Sequence, residues 1–354
     1  MIEYFCDIKT SLCMNKKSKH RSSRKTWLYV AVTVVLIAIA GIAMTALRRS
    51  DGADRWIRIP RDATKESVRD SLISALGNDG ARVYTMWTLM GGQPEKAHGA
   101  YKVSGNTLLL KVARRMSRGM QTPVRVGWNE ARTMDEFARK VTAALECTPD
   151  EFLKCCDSLL HERGYAKSEY IAAFLPDTYE FYWTVAPCEL VGRLNDSRNK
   201  FWTDERIAKA KAEGLTVTEA TTLTSIVMEE SSKLDEYGKI GRLYLNRLKA
   251  DMPLQADPTV KFAIGDPSIK RIVNSMLRTP SAYNTYLNKG LPPGPIRMAD
   301  KRAIDAVLNA GKHSYLYMCA KEDFSGYHNF AADYAAHLAN ARRYQKALDT
   351  RGIR

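Results

Sequence analysis

The sequence predicts an α+β protein carried on a single N-terminal membrane helix. Three observations support this. Residues 27–47, WLYVAVTVVLIAIAGIAMTAL, form an uncharged run about long enough to span a bilayer. Residues 56–60 and 99–126 carry strand-like alternation around a turn and a helix. From about Thr216 onward, helical stripes alternate with Pro- and Gly-rich loops. A chain of 354 residues with 45% hydrophobic side chains can hold two domains with real cores.

Ahead of the apolar run, residues 1–26 carry seven Lys or Arg against two acidic side chains, a net +5. Such a tail stays in the cytoplasm, so the C-terminal bulk is expected outside it. A cleaved signal peptide would need a shorter apolar core and a small-x-small site, and Arg48 and Arg49 follow instead. The remaining +10 of the chain's +15 then faces the envelope, which disfavours nucleic acid and favours an anionic envelope polymer as partner. The expected segments are a tail over 1–26, a membrane helix over 27–47, a membrane-proximal α/β region over 50–128 and a larger domain over 129–354.

In the membrane-proximal region, WIRIP reads as a strand. Residues 64–76 read as a helix opened by a Thr64–Ser67 capping pair, with Val68, Leu72, Ile73 and Leu76 as its apolar stripe. Residues 99–126 read as a β-α-β unit with its turn at Gly105-Asn106. Residues 130–170 follow a helical pattern through Phe137, Val141 and Leu145, which Phe174–Phe181 breaks with a proline and aromatics. The last helix is expected over Tyr334–Leu348. Five cysteines follow the span: Cys147, Cys155, Cys156, Cys188 and Cys319. No zinc spacing occurs among them, so buried free thiols are expected, with a bridge from Cys147 to Cys155 or Cys156 as the alternative.

Residues 217–234 are expected to be helical. Thr216 and Glu219 form a capping box, and Leu223, Ile226, Val227, Glu230 and Leu234 share one stripe. Glu230 therefore lies on the apolar face and Glu229 is rotated off it. A carboxylate there is paired, exposed at a cleft, or kept protonated. Pairing with Arg242 or Arg247 is one outcome; a desolvated general acid is the other. The loops around Gln255, Asn284 and Gly290–Pro295 bring amides, hydroxyls and tyrosines suited to sugars, although turn chemistry alone explains each loop singly. His313, His328 and His337 match no standard metal spacing; His328 is a pocket or structural residue, and Asp177 and Tyr179 line a groove or pack.

The ordered stretches FLPDTYEF, LTSIVMEESS, LYLNRL, MPLQADPTV, AYNTYLNKGLPPGPI and YLYMCAKEDFSGYHNF, from Phe174 to Phe330, resemble the endolytic murein transglycosylases of the MltG, or YceG-like, family. Residues 99–126 look like that family's LysM-like module. The family's catalytic glutamate closes an ASIV-x-x-E motif, which falls on Glu230; Met228 occupies a position often acidic or amidic in relatives. The resemblance implies substrate-binding roles for Asn246, Gln255, Asp257, Asn284, Thr285 and Tyr286, while Asp257 between Ala256 and Pro258 also suits a turn. It implies endolytic cleavage of MurNAc-β-1,4-GlcNAc bonds to 1,6-anhydroMurNAc ends, with no metal and no cofactor. The implied partners are peptidoglycan glycan strands, the inner membrane and, as further candidates, peptidoglycan synthases. An inactive glycan-binding scaffold and a hydrolase using water with Asp257 stand as alternatives.

Overall fold

The computed structural model describes residues 26–41, 43–266, 268–269 and 271–352. The basic tail over 1–25, with Cys6 and Cys13, lies outside the described residues. The first helix, α1 (Thr26–Leu47), has a mean hydropathy of 2.6, so it can cross a membrane by length and composition. The chain divides into two compact units, one ending at Pro123 and the other running from Val124.

The first unit pairs strand β1 (Arg55–Ile59) antiparallel with β2 (Gly99–Val103), Ile57 opposite Tyr101. Helices α2 (Lys65–Leu76), α3 (Asn78–Leu89) and the short α4 (Pro94–Ala97) lie between them in sequence, and α5 (Leu109–Ser117) follows. The Thr64–Ser67 capping box forms in both directions. Alternation in β1 sends Ile57 and Ile59 into a core with Val68, Leu72, Trp87 and Met116. Ile73 of the expected stripe is 40% exposed, because α2 buries only the Val68–Leu72–Leu76 line. Gly80 sits where a Cβ would lie 2.1 Å from the Leu72 carbonyl oxygen, so only glycine lets α3 start this close to α2. Asn106 takes φ +64° in the expected turn.

The second unit opens with β3 (Val124–Trp128), and here the structure corrects the β-α-β reading. β3 does not return to β2; it pairs antiparallel with β4 (Asp177–Phe181), Val126 opposite Tyr179. The FLPDTYEF stretch thus breaks the helical pattern, as expected, and does so by entering a strand. The helical pattern over 130–170 is two helices, α6 (Met134–Thr142) and α7 (Pro149–Glu162). A Thr148–Glu151 capping box with Pro149 in the first turn starts the second one afresh. A 3-10 turn (Lys167–Ala173) precedes β4, and α8 (Pro187–Phe201) and α9 (Asp204–Ala212) follow it. A disulfide joins Cys155 on α7 to Cys188 on α8, with Cα atoms 5.0 Å apart. This overturns the Cys147 bridge, and the free-thiol expectation for Cys155 and Cys188; Cys147 and Cys156 are buried and, like the half-buried Cys319, stand outside the disulfide.

Helix α10 (Val217–Glu230) is buried nearly all round. Leu223, Ile226 and Val227 pack against Ile240, Leu243, Tyr244 and Leu254. Its polar residues satisfy themselves: the Thr221, Thr222 and Thr224 hydroxyls donate to carbonyls one turn back, and Ser225 accepts from the Ile296 N–H. The helix ends at Glu230, not at 234, because Ser231 turns extended at φ −138° and ψ 145°. Leu234 instead opens α11 (Leu234–Lys249) and is 40% exposed. Then come α12 (Asp257–Ile264), α13 (Lys301–Leu308), the hairpin of β5 (Tyr317–Ala320) and β6 (His328–Ala331), and α14 (Tyr334–Thr350). The PPGP loop passes so close to the 3-10 turn that a Cβ on Gly294 would lie 1.9 Å from the Ser168 carbonyl oxygen.

Candidate active site

Two adjacent carboxylates at the end of α10 have opposite surroundings. Glu229 is held by two guanidinium groups, Arg132 at 2.9 Å and Arg297 at 2.7 Å. Glu230 meets no cation within ion-pair distance among the described residues. Its partner is Tyr244, a core tyrosine only 2% exposed, whose hydroxyl donates to Glu230 Oε1 at 2.6 Å. A buried tyrosine hydroxyl needs such an acceptor. Burial pushes the pKa of Glu230 up to about 7, helped by the Asp257 and Glu229 charges and opposed by the Tyr244 bond and Arg247.

The arginines that could have neutralised Glu230 are engaged elsewhere. Arg242 forms a bidentate pair with Glu213 at 2.9 and 2.7 Å, which holds the Glu213 carboxyl down at about 2. Arg247 donates at 2.6 Å to the carbonyls of Leu316 and Leu254. It fixes the hairpin and the Gln255 loop beside Glu230 as a positive but already bonded neighbour.

Glu230 is partly exposed and borders two cavities. One, of about 340 Å³, is also lined by Glu229, Asp257, Lys261 and Arg271. The other, of about 190 Å³, is lined by Tyr244, Arg247, Gln255, Asp257, Tyr286 and Met318. Larger cavities of about 470 and 660 Å³ elsewhere in this unit do not touch Glu230. The arrangement offers a protonatable acid, oriented by one hydrogen bond, at the junction of two polar recesses.

The six residues expected to bind substrate separate into two groups. Gln255, Asp257 and Tyr286 reach the cavities with Glu230. Gln255 is exposed at φ +50°, its N–H bonded to the Thr285 carbonyl at 3.1 Å, so the loop turns this side chain outward. Asp257, in the first turn of α12, accepts from the Tyr286 hydroxyl at 2.6 Å, and burial together with that carboxylate raises the Tyr286 phenol. Asn246, Asn284 and Thr285 stand behind this surface. Asn284 is fully buried and donates to the carbonyls of Leu277 and Thr279 at 2.9 and 2.8 Å. Thr285 accepts from the Ala256 N–H and shares a 2.8 Å hydrogen bond with Thr259. Asn246 donates to the His313 and Tyr315 carbonyls. These three hold loops in place and present no side chain to either cavity.

The histidines are separate. His328 Nδ1 and N–H both meet Glu236 at 2.9 Å, and Glu236 also accepts from Ser231, the residue after Glu230. His313 meets the Lys239 carbonyl, and His337 stacks on Tyr317. Asp177 pairs with Lys301 beside the 470 Å³ cavity, whereas the Tyr179 ring stacks on Trp128. Sequence reasoning missed Tyr244, Lys261 and Arg271. Tyr244 carried a usable signal: a hydroxyl set between Leu243 and Leu245 on a core-facing helix.

A family model described as the YceG-like family matches residues 57–343. An endolytic murein transglycosylase of Bacillus subtilis (strain 168) is 34% identical over 148 residues, 42% of this chain and 41% of that protein. An endolytic murein transglycosylase of Streptococcus pneumoniae serotype 2 is 35% identical over 114 residues, 31% of this chain and 21% of that protein. The matched stretch thus spans less than half the length of either relative. The 2.6 Å crystal structure of a yceG-like protein from Listeria monocytogenes superposes with a TM-score of 0.55 at 22% identity, covering 81% of this chain and 98% of that one, a likeness of fold.

Proposed function

The chain belongs to the YceG-like family, and from that membership we propose that it is a membrane-anchored endolytic peptidoglycan lytic transglycosylase. It cleaves MurNAc-β-1,4-GlcNAc bonds within nascent glycan strands and so terminates their growth. The observation that carries this reading is Glu230: an acid with its proton held to about pH 7, without a cationic partner, at the junction of two cavities. In the proposed reaction the Glu230 carboxyl donates its proton to the glycosidic oxygen, and the C1–O bond breaks. The resulting carboxylate takes the proton of the muramyl 6-hydroxyl, whose oxygen closes on C1. Glu230 ends protonated, no water is consumed, and a 1,6-anhydro end is left. Tyr244 keeps Oε1 occupied, so that Oε2 is the oxygen left to exchange the proton.

The rest of the reading follows the same site. Gln255, Asp257 and Tyr286 contact the sugars, while Asn246, Asn284 and Thr285 set their loops. Helix α1 serves as the inner-membrane anchor, tail inside, with the later units on the envelope side. The Cys155–Cys188 disulfide supports that side, since such bonds persist in oxidising compartments. The β1-α2-α3-β2 order, two antiparallel strands with helices between, supports a LysM-like glycan-binding module over 55–103, earlier in the chain than residues 99–126. Peptidoglycan synthases are candidate partners at the membrane.

One observation favours a second reading. Asp257 shares both cavities with Glu230, as the second carboxylate of a hydrolase would. Digestion of purified glycan strands separates the two. A transglycosylase gives anhydro ends, lighter than reducing ends by one water, and Glu230→Gln gives none. Reducing ends from the wild-type protein would establish the hydrolase instead, and no cleavage at all would leave the glycan-binding scaffold.

A further inference from the structure

The cavity on the α12 side of Glu230 holds two cations that the proposed chemistry does not use. Lys261 and Arg271 line it, and neither meets a carboxylate within ion-pair distance among the described residues. The acids around them are otherwise occupied. Glu229 is neutralised by Arg132 and Arg297, Asp257 is bonded by Tyr286, and Asp266 reaches Lys261 only through space. Against the one carboxylate charge that Asp257 keeps, the two cations leave this wall with an excess of positive charge, which attracts an anion. While its stems are attached, the sugar backbone of MurNAc and GlcNAc offers none. In an intact strand the lactyl carboxyl of each muramyl residue is tied up as an amide, and the peptide stem it carries brings the free carboxylates. The stem leaves the sugar beside the ring whose C1 reacts, so it must leave the groove beside Glu230.

We propose that Lys261 and Arg271 bind the carboxylates of the peptide stem on the reacting muramyl residue, so that the preferred substrate is a strand still carrying its stems. This rests on the transglycosylase reading. The other source of a carboxylate is a stripped strand, in which an amidase has freed the lactyl group. The test compares Lys261→Gln/Arg271→Gln with wild type on stem-bearing and amidase-stripped strands. Exposed ion pairs each contribute modestly, so kcat/KM on stem-bearing strands should fall about 3- to 10-fold in the double variant, through KM. The difference should shrink in 0.5 M salt, where charges are screened within a few ångströms. On stripped strands the two proteins should differ by less than twofold.

An equal loss on both strands would assign the cations to the lactyl group or to the fold and overturn the proposal, as would no loss on either. Sedimentation with stem-bearing or stripped sacculi, in a Glu230→Gln background with and without the two changes, reads the same preference without turnover. If wild type yields no anhydro ends while this binding difference persists, the reaction assignment fails and the stem site stands; anhydro ends without the binding difference give the converse.

Discussion

The Tyr244 hydroxyl donates a 2.6 Å hydrogen bond to Oε1 of Glu230. It stabilises the carboxylate against the burial that raises this group to about 7. Tyr244→Phe removes the donor and keeps the ring, so Glu230 should hold its proton to still higher pH. The alkaline limb of the pH–rate profile, where the acid form is lost, should move upward. The maximal rate should drop roughly 10-fold as the carboxyl loses its orienting bond. A limb that stays in place in the Tyr244→Phe profile would mean that the hydroxyl does not act on Glu230.

Glu229 and Glu230 are one residue apart but answer to different forces. Glu230→Gln keeps size and polarity without a transferable proton, and anhydro product should fall by at least about 100- to 10,000-fold. Glu229→Gln should stay within a few-fold in turnover. Its cost is structural: Arg132 and Arg297 lose their shared carboxylate, which is 12% exposed. Breaking that pair should lower stability by about 1–3 kcal/mol. Denaturation and product assays on both variants check this; a dead Glu229→Gln with an active Glu230→Gln would reverse the assignment.

The raised pKa of Glu230 also sets a pH dependence of stability. Below its ordinary value of 4.5 the group is neutral in both states. As pH rises from there to about 7, the unfolded chain releases its proton first, so stability declines through that window and then levels off. Glu230→Gln never ionises and escapes the decline. It should melt with wild type near pH 4 and above it at pH 8, by roughly 2–6 °C given the solvent reaching the groove. Calorimetry at the two pH values reads this directly, and equal melting at pH 8 would show that the carboxylate is not destabilising in the fold.

What could be read in advance was local. Thr216, Glu219 and the Leu223–Ile226–Val227 line define α10 and put Glu230 on the same face without any partner being known. The helix end was not legible, because Ser231 carries neither glycine nor proline as a stop. Leu234 falls in register only because α11 begins on it. The substrate loops show a similar limit. An amide in a stiff loop looks alike whether it faces a sugar or, as Asn284 does, the carbonyls of Leu277 and Thr279. Pairings across long separations were equally hidden. β3 meets β4 some fifty residues on, and local spacing offered Cys155 only a free thiol or a bridge to Cys147, whereas the packing of α7 on α8 brings it to Cys188.

That disulfide yields the last prediction. Cys155 and Cys188 are 33 residues apart and tie α7 to α8, so reduction should release a closed loop in the unfolded chain. A loop of this size corresponds to about 2–4 kcal/mol. Reductant, or Cys155→Ser/Cys188→Ser, should lower the melting temperature, and reductant should do nothing further to the double variant. In cells the bond can form only on the oxidising side, where the +5 tail should leave this unit. The two thiols in protein taken from the envelope should therefore resist maleimide under denaturing conditions until reduced, while Cys147 and Cys156 react as soon as the chain unfolds. Immediate labelling of all four would place the unit in a reducing compartment and reverse the orientation proposed for α1.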